Sequence, residues 1–351
     1  MLKVSKFLSL FVFCVLFFVS CGEKTPEADV NEVVVYVALD QDFSKPMFEL
    51  FEKKTGIKVK AKFDTEDTKT TGLVNAIIAG KDKQICDVFW NNEIVQTIKL
   101  KMAGLTQKVE PANAAKIPAQ YKDKDGHWYG LAARSRVVLI NKKRFAEKFP
   151  GVEYPSSFED LLDPKWGAEA AYAKPLNGTT ATHFSVILSK LGMEAGAEKL
   201  KALKNSDIQI KSSNGQTMRD VRDGVISWAW TDTDDAAKAL AEKGDELVML
   251  YTSAWNNDSG ALVLPNTVCL IKDAPHKAAA EKFINFVLSE EVEKLLAEAA
   301  GKQIPLKPGI AVEGVDDLEK IKETSGIFEV DFDKVGTDWD KCRKILEDLY
   351  N

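Results

Sequence analysis

The sequence predicts an α/β protein of two lobes, each a mostly parallel sheet flanked by helices, with a ligand cleft between the lobes. Three observations carry this expectation. Short apolar runs bounded by polar turns alternate with amphipathic helical stretches, the pattern of parallel βαβ units with right-handed crossovers. Two long extended runs, 130–141 and 261–271, are suited to pass from one lobe to the other. The chain of about 330 residues left after removal of a leader exceeds what a single core usually organises.

At the N-terminus, Lys3 and Lys6 precede a run from Phe7 to Val19 that is apolar but for Ser9, followed by Ser20, Cys21 and Gly22. This is the pattern of a bacterial lipoprotein signal peptide, and the run is too short to cross a bilayer, which needs about 20 apolar residues. Residues 1–20 are read as the leader and Cys21 as the lipidated first residue of the mature chain. Phe18 stands where such leaders usually carry Leu, and the alternative is an ordinary cleaved signal that leaves Cys21 a thiol. Residues 21–32 are polar and aperiodic and read as a flexible tether.

The continuous apolar run 33–39 predicts a strand buried on both faces. Ser44 is expected to cap a helix with Met47, Leu50 and Phe51 on one face, ended by Gly56. A strand at 57–63, a helix marked by Leu73, Ala76 and Ile77, a strand at 87–90 and a helix at 94–102 follow. Beyond the first crossing run come a helix from Thr179, a strand at 208–211, a helix at 217–222, a strand at 225–230, a helix at 235–243 and a strand at 247–251. The second crossing run is interrupted by Pro265 and Asn266, and residues 278–300 read as two helices split near Ser289. One lobe is therefore assigned to 33–133 and 265–305, the other to 134–264 and 306–351.

Composition narrows the function. The mature chain has 45 basic and 53 acidic residues, a net charge of −8, which excludes electrostatic binding of nucleic acid or anionic lipid. Cys86, Cys269 and Cys342 remain after processing, with no paired spacing, and Cys86 and Cys269 beside predicted strands read as buried small hydrophobes. No GxSxG, P-loop, HExxH or CxxC is present, which argues against an enzyme.

In open α/β sheets ligands collect at the carboxyl ends of strands, and here those ends are polar. They carry Asp40, then Asn91, Asn92 and Glu93, then Asn177, Gly178, Thr179 and Thr180, then Asp232, Thr233 and Asp234. Helix-start hydroxyls favour anions and clustered carboxylates favour a cation. Arg134 on the crossing run, Trp230 and Trp255 complete the candidate ligand-binding set. Thr179 and Asp234 are equally good N-cap residues, and tryptophans such as these two serve more often in packing than as binding platforms. Three scattered histidines exclude a histidine-built metal site.

The run 33–40, the helix ending Lys54-Thr55-Gly56-Ile57, Asp87-Val88-Phe89-Trp90 and the stretch 158–166 resemble the type II solute-binding proteins of ABC importers. The ferric-iron-binding branch is nearest, and the stretches 175–181, 230–236, 264–267 and 304–306 extend the likeness over nearly all the mature chain. The resemblance implies two lobes joined by crossing strands, a periplasmic-binding-protein fold. It further implies a monomer in the cell envelope that hands its ligand to an ABC permease and its ATPase, with no cofactor beyond Fe(III) as the transported ligand. Iron-binding relatives often use an adjacent tyrosine pair, which falls here at Thr233 and Asp234. Their histidine falls at Asp40 and their glutamate at Asn92, beside Glu93. Asp40, Glu93 and Asp234 are then the expected metal ligands, with a small anion at 177–180 completing the shell. A polyamine or similar organic solute, an enzyme on the same scaffold and an adhesive lipoprotein are the alternatives.

If Cys21 is lipidated, Cys21→Ser moves the protein from the membrane to the soluble fraction with its fold unchanged. Failure of labelled fatty acid to enter the wild-type protein would refute the lipid anchor.

Overall fold

The computed structural model describes residues 31–64, 71–256 and 260–351. The leader, Cys21 and all of the tether before Asn31 lie outside the described residues. The strands are β1 (Glu32–Val37), β2 (Lys58–Phe63), β3 (Val88–Asn91), β4 (Thr106–Gln107), β5 (Tyr129–Asn141), β6 (Ala170–Ala173), β7 (Gln209–Lys211), β8 (Trp228–Asp232), β9 (Leu247–Tyr251) and β10 (Val263–Ile271). The helices are α1 (Gln41–Thr55), α2 (Thr71–Ala79), α3 (Ile94–Met102), α4 (Lys142–Lys148), α5 (Gly178–Leu191) and α6 (Met193–Lys204). They continue with α7 (Asn214–Arg222), α8 (Thr233–Lys243), α9 (Lys277–Val287), α10 (Glu290–Glu298), α11 (Leu318–Ser325) and α12 (Phe332–Tyr350). Among the described residues no helix is long and apolar enough to cross a membrane.

The strands run in the order β2-β1-β3-β10-β5-β8-β6-β7, with β4 on β10 and β9 on β5. Pairings within each lobe are parallel: β1 with β2 and β3, β6 with β7 and β8. Pairings made by the two crossing strands are antiparallel. The first half of β5 pairs with β10, and its second half is sandwiched between β8 and β9. One strand of thirteen residues, buried along its whole length, is thus common to both lobes.

Alternation along this strand divides the second lobe's interior. Val138 and Ile140 face a core with Trp228, Trp230, Phe158 and Trp166, whereas Val137 and Leu139 face one with Ala229, Val221 and Ala236. The first lobe has a larger core in which Phe48, Phe51, Trp90 and Phe283 meet edge-on or tilted. Cys86, Cys269 and Cys342 are free and buried, and burial pushes the Cys86 thiol well above, and the Cys269 thiol up to about 12.

Several local expectations need correction. α1 begins at Gln41 after Asp40, so Ser44 lies inside the first turn, where its hydroxyl donates back to the Asp40 carbonyl at 3.1 Å. β8 begins at Trp228, and Val225, expected in a strand, is exposed before it. The last helix, α12, touches both lobes. Its Phe332, Val335 and Trp339 join the first-lobe core, and its Cys342, Leu346 and Tyr350 join that of the second. Gly336 allows its close approach to α3, because a Cβ there would lie 2.3 Å from Cγ2 of Ile98.

Gly336→Ala should therefore lower stability by about 1–3 kcal/mol, the usual cost of overpacking, read as a fall in the urea midpoint at constant m. An unchanged midpoint would mean that α12 does not need this approach.

Candidate functional site

The site grows from a problem inside β5. Arg134 and Arg136 are buried in a largely apolar strand, and arginine does not lose its proton in proteins. Each therefore needs a carboxylate. The antiparallel register places Arg136 opposite Asp232, and Nη1 of Arg136 reaches Oδ1 of Asp232 at 2.6 Å. Two residues on, Asp234 in the first turn of α8 pairs its Oδ2 with Nη1 of Arg134 at 3.3 Å. Asp235 beside them completes a group in which Asp232, Asp234 and Asp235 offer carboxylate oxygens within 4.8 Å of one another.

Three carboxylates face two guanidinium groups, and their environments differ. Asp232 is saturated, since its Oδ2 accepts from the Thr179 hydroxyl at 2.5 Å and from Nδ2 of Asn214 at 2.9 Å. Asp234 keeps Oδ1 buried with no hydrogen-bond partner. Burial raises the Asp234 carboxyl above the ordinary range, opposed by Arg134. Asp235 is pushed up to about 7 by burial and by the charges of Asp234 and Asp232. His183 behind the cluster is held neutral, lowered to about 3 by burial and by Arg136, and its Nε2–H donates to the Ala254 carbonyl at 2.7 Å. The Nε atoms of Arg134 and Arg136 have no partner.

The expected residues are only partly brought together. Asp40 is exposed at the start of α1, within electrostatic reach of Arg134 and Asp234, and Arg134 and Asp234 are in contact. Glu93 stands apart from them as the cap of α3. It accepts from the Val95 and Gln96 amides at 2.9 Å each, from Asn91, and across the cleft from the Thr182 hydroxyl at 3.1 Å. The trio Asp40, Glu93 and Asp234 is not a shared set of ligands within 4.8 Å, whereas Asp232, Asp234 and Asp235 are. Asn91 is buried against Glu93 and Thr97, and Asn92 is half-buried beside it.

Asn177 and Gly178 are exposed at the start of α5, where Gly178 takes φ +60°. Thr179 is spent on Asp232, Thr180 donates to Asn214 at 3.1 Å, and the Thr233 hydroxyl accepts from the Ser135 amide at 3.1 Å. The anion expected at this helix start is in effect the protein's own Asp232 carboxylate. Trp230, expected as a binding surface, is fully buried, its ring 5.3 Å from Phe158 and 5.1 Å from His183. Trp255 packs 6.2 Å from Phe158 and already has the Lys199 ammonium 5.9 Å from its centroid. The crevice bounded by Glu93, Gln96, Asn177, Gly178 and Trp339 holds about 10 Å³, room for about one water.

Arg136, Asn214 and Thr182 escaped the reading of strand ends, and Asp235, which follows the same strand end as Asp232, is absent from the expected ligand set. A signal for the first was present, because Arg-Ser-Arg in a buried strand demands two acids, and Asp-Thr-Asp at 232–234 repeats its spacing.

Arg134→Leu should leave Asp234 buried and uncompensated, at a cost of about 3–5 kcal/mol at pH 8. A carboxyl whose folded pKa lies above its unfolded value favours folding most at low pH and loses that contribution as pH rises. The deficit should therefore shrink toward pH 5, and Arg134→Leu with Asp234→Leu should recover most of it. A pH-independent deficit in urea melts would contradict this pairing.

Comparison with known proteins bears on the reading. A family model described as bacterial extracellular solute-binding protein matches residues 86–335. The major ferric iron-binding protein of Neisseria meningitidis serogroup B is 27% identical over 286 residues, 80% of this chain and 82% of that protein. The Fe(3+)-binding periplasmic protein of Serratia marcescens is 25% identical over 279 residues, 78% of each. Among solved structures, iron-bound HitA from Pseudomonas aeruginosa superposes with a TM-score of 0.78 at 23% identity, covering 91% of this chain and 99% of that one.

Proposed function

The chain belongs to the bacterial extracellular solute-binding proteins, a family of binding proteins and not of enzymes, and from that premise we propose that it captures ferric iron between its lobes and delivers it to an ABC permease. The observation that carries the reading is the cluster of Asp232, Asp234 and Asp235 at the lobe interface, with one Asp234 oxygen buried and unpartnered. Hard cations take oxygen ligands, and the ferric-iron-binding relatives favour iron among them.

Carboxylates, not phenolates, supply those ligands. The resemblance to the iron branch sets Thr233 and Asp234 where that branch often has its tyrosines. Of the chain's seven tyrosines, Tyr129 donates to Val109, Tyr172 and Tyr350 bond each other, and Tyr121 is buried in the first-lobe core, while Tyr36 lies under Lys62, Tyr154 packs on Phe145 and Tyr251 is bonded to Asp316. Arg134, with Nε unpartnered, is suited to an anion that accompanies the metal. An organic amine is disfavoured, because Trp230 and Trp255 are not free to stack on it. Crossing strands β5 and β10 supply the hinge for opening, and a lipid on Cys21 holds the protein in the cell envelope.

Calorimetry with ferric citrate, spermidine and putrescine tests the reading. Ferric citrate should bind without a phenolate-to-iron absorbance band, and Asp234→Asn should weaken it by about 1.5–3 kcal/mol, the worth of a charge-assisted contact. Because Asp235 is protonated below about 7, a cation must displace that proton. Affinity should accordingly rise as pH passes upward through 7, and Asp235→Asn should flatten the rise. Absence of wild-type binding, or unchanged affinity in Asp234→Asn, would reject iron at this cluster.

A further inference from the structure

Between the lobes β5 passes through a bulge. Leu264 pairs with Arg134 and Asn266 with Leu131, so Ala132 and Ala133 together oppose the single Pro265. Ala132 has φ +41°, in the left-handed region that glycine normally fills at such bulges. A residue with a Cβ stays there only where its surroundings hold it.

The groups that hold it are not the backbone bonds of the β5–β10 ladder. The Ala132 amide donates to Oε1 of the buried Glu293 at 3.1 Å, and the Ala132 carbonyl accepts from Nδ2 of Asn266. Ala133 exchanges two backbone bonds with Ile304, each 2.7 Å. Asn266 is fully buried and is the branch point. Its Nδ2 also reaches Oε1 of Gln303 at 2.7 Å, and its Oδ1 accepts from Nη2 of Arg134 at 3.4 Å. Arg134 in turn pairs with Asp234. A continuous chain of contacts thus runs from the acid cluster through Arg134 and Asn266 to the left-handed residue.

We infer that Asn266 is a positioning residue that couples the charge at Asp234 to the backbone of the crossing strand. One end of its amide steadies the Arg134 guanidinium against Asp234, and the other clamps the Ala132 carbonyl. A change in the pull of Asp234 on Arg134 therefore reaches the residue about which the lobes are joined. The coupling needs no bound cargo; its use in cargo-dependent closure rests on the acid cluster being the cargo site.

Spatial intermediacy does not establish coupling, whereas a double-mutant cycle does. NMR-detected hydrogen exchange at the Ala132 and Ala133 amides, on cargo-free mature protein, supplies the readout. Asp234→Asn should speed exchange at both by about tenfold, within the span of typical coupling energies. In an Asn266→Ala background the same change should add less than about twofold. Equal increments in both backgrounds, no increment in either, or a parallel change at the β1 amides of Val35 and Val37 would overturn the inference. Should Asn266→Ala fail to fold, Asn266→Asp keeps the acceptor toward Arg134, loses the donor toward Ala132, and should decouple the two equally. Ferric citrate added to the wild type separates the questions: no binding rejects the cargo, while the cycle decides the coupling.

Discussion

Two guanidinium groups lie in the middle of a strand that both lobes share, and much of the cleft's arrangement follows from their burial. An unpaired charge in such a place costs several kcal/mol, and arginine cannot escape by losing its proton. Asp232 answers Arg136 because β8 runs antiparallel to β5 in a register that sets them opposite each other. That pairing fixes where β8 ends and α8 begins, and Asp232 then draws in Thr179 from α5 and Asn214 from α7. Asp234 answers Arg134 one step further. The acids first meet a demand of the fold, and what remains for a ligand is the surplus: Asp235 and one oxygen of Asp234.

In the proposed site, this surplus is what lets a familiar scaffold hold its metal through carboxylates. A fold shared with iron-binding relatives does not dictate the atoms of the site. Other strand-end groups are likewise engaged by the fold. Glu93 is committed to capping α3 and to Thr182 of the opposite lobe, and the tryptophan nearest the cluster in sequence is core.

Motion is constrained by α12 as well as by the crossing strands. The helix gives residues to both cores, and its Gly336 brings it against α3. In the proposed opening, α12 would slide over one partner while it stays seated on the other, a shear added to the proposed hinge.

The sequence by itself determined the alternation of strands and helices, the two crossing runs and the polar strand ends, because periodicity and turn chemistry are local and survive in one dimension. It also carried the family resemblance. Tertiary structure alone decided the rest. Asp232 and Arg136 are 96 residues apart, and no local pattern says which acid meets which base. Trp230 and Asp232 sit two positions apart on one short strand, yet one ends in a core and the other at the cleft. The alternating faces of a strand are legible in a sequence; what lies against each face depends on elements that arrive from elsewhere in the chain.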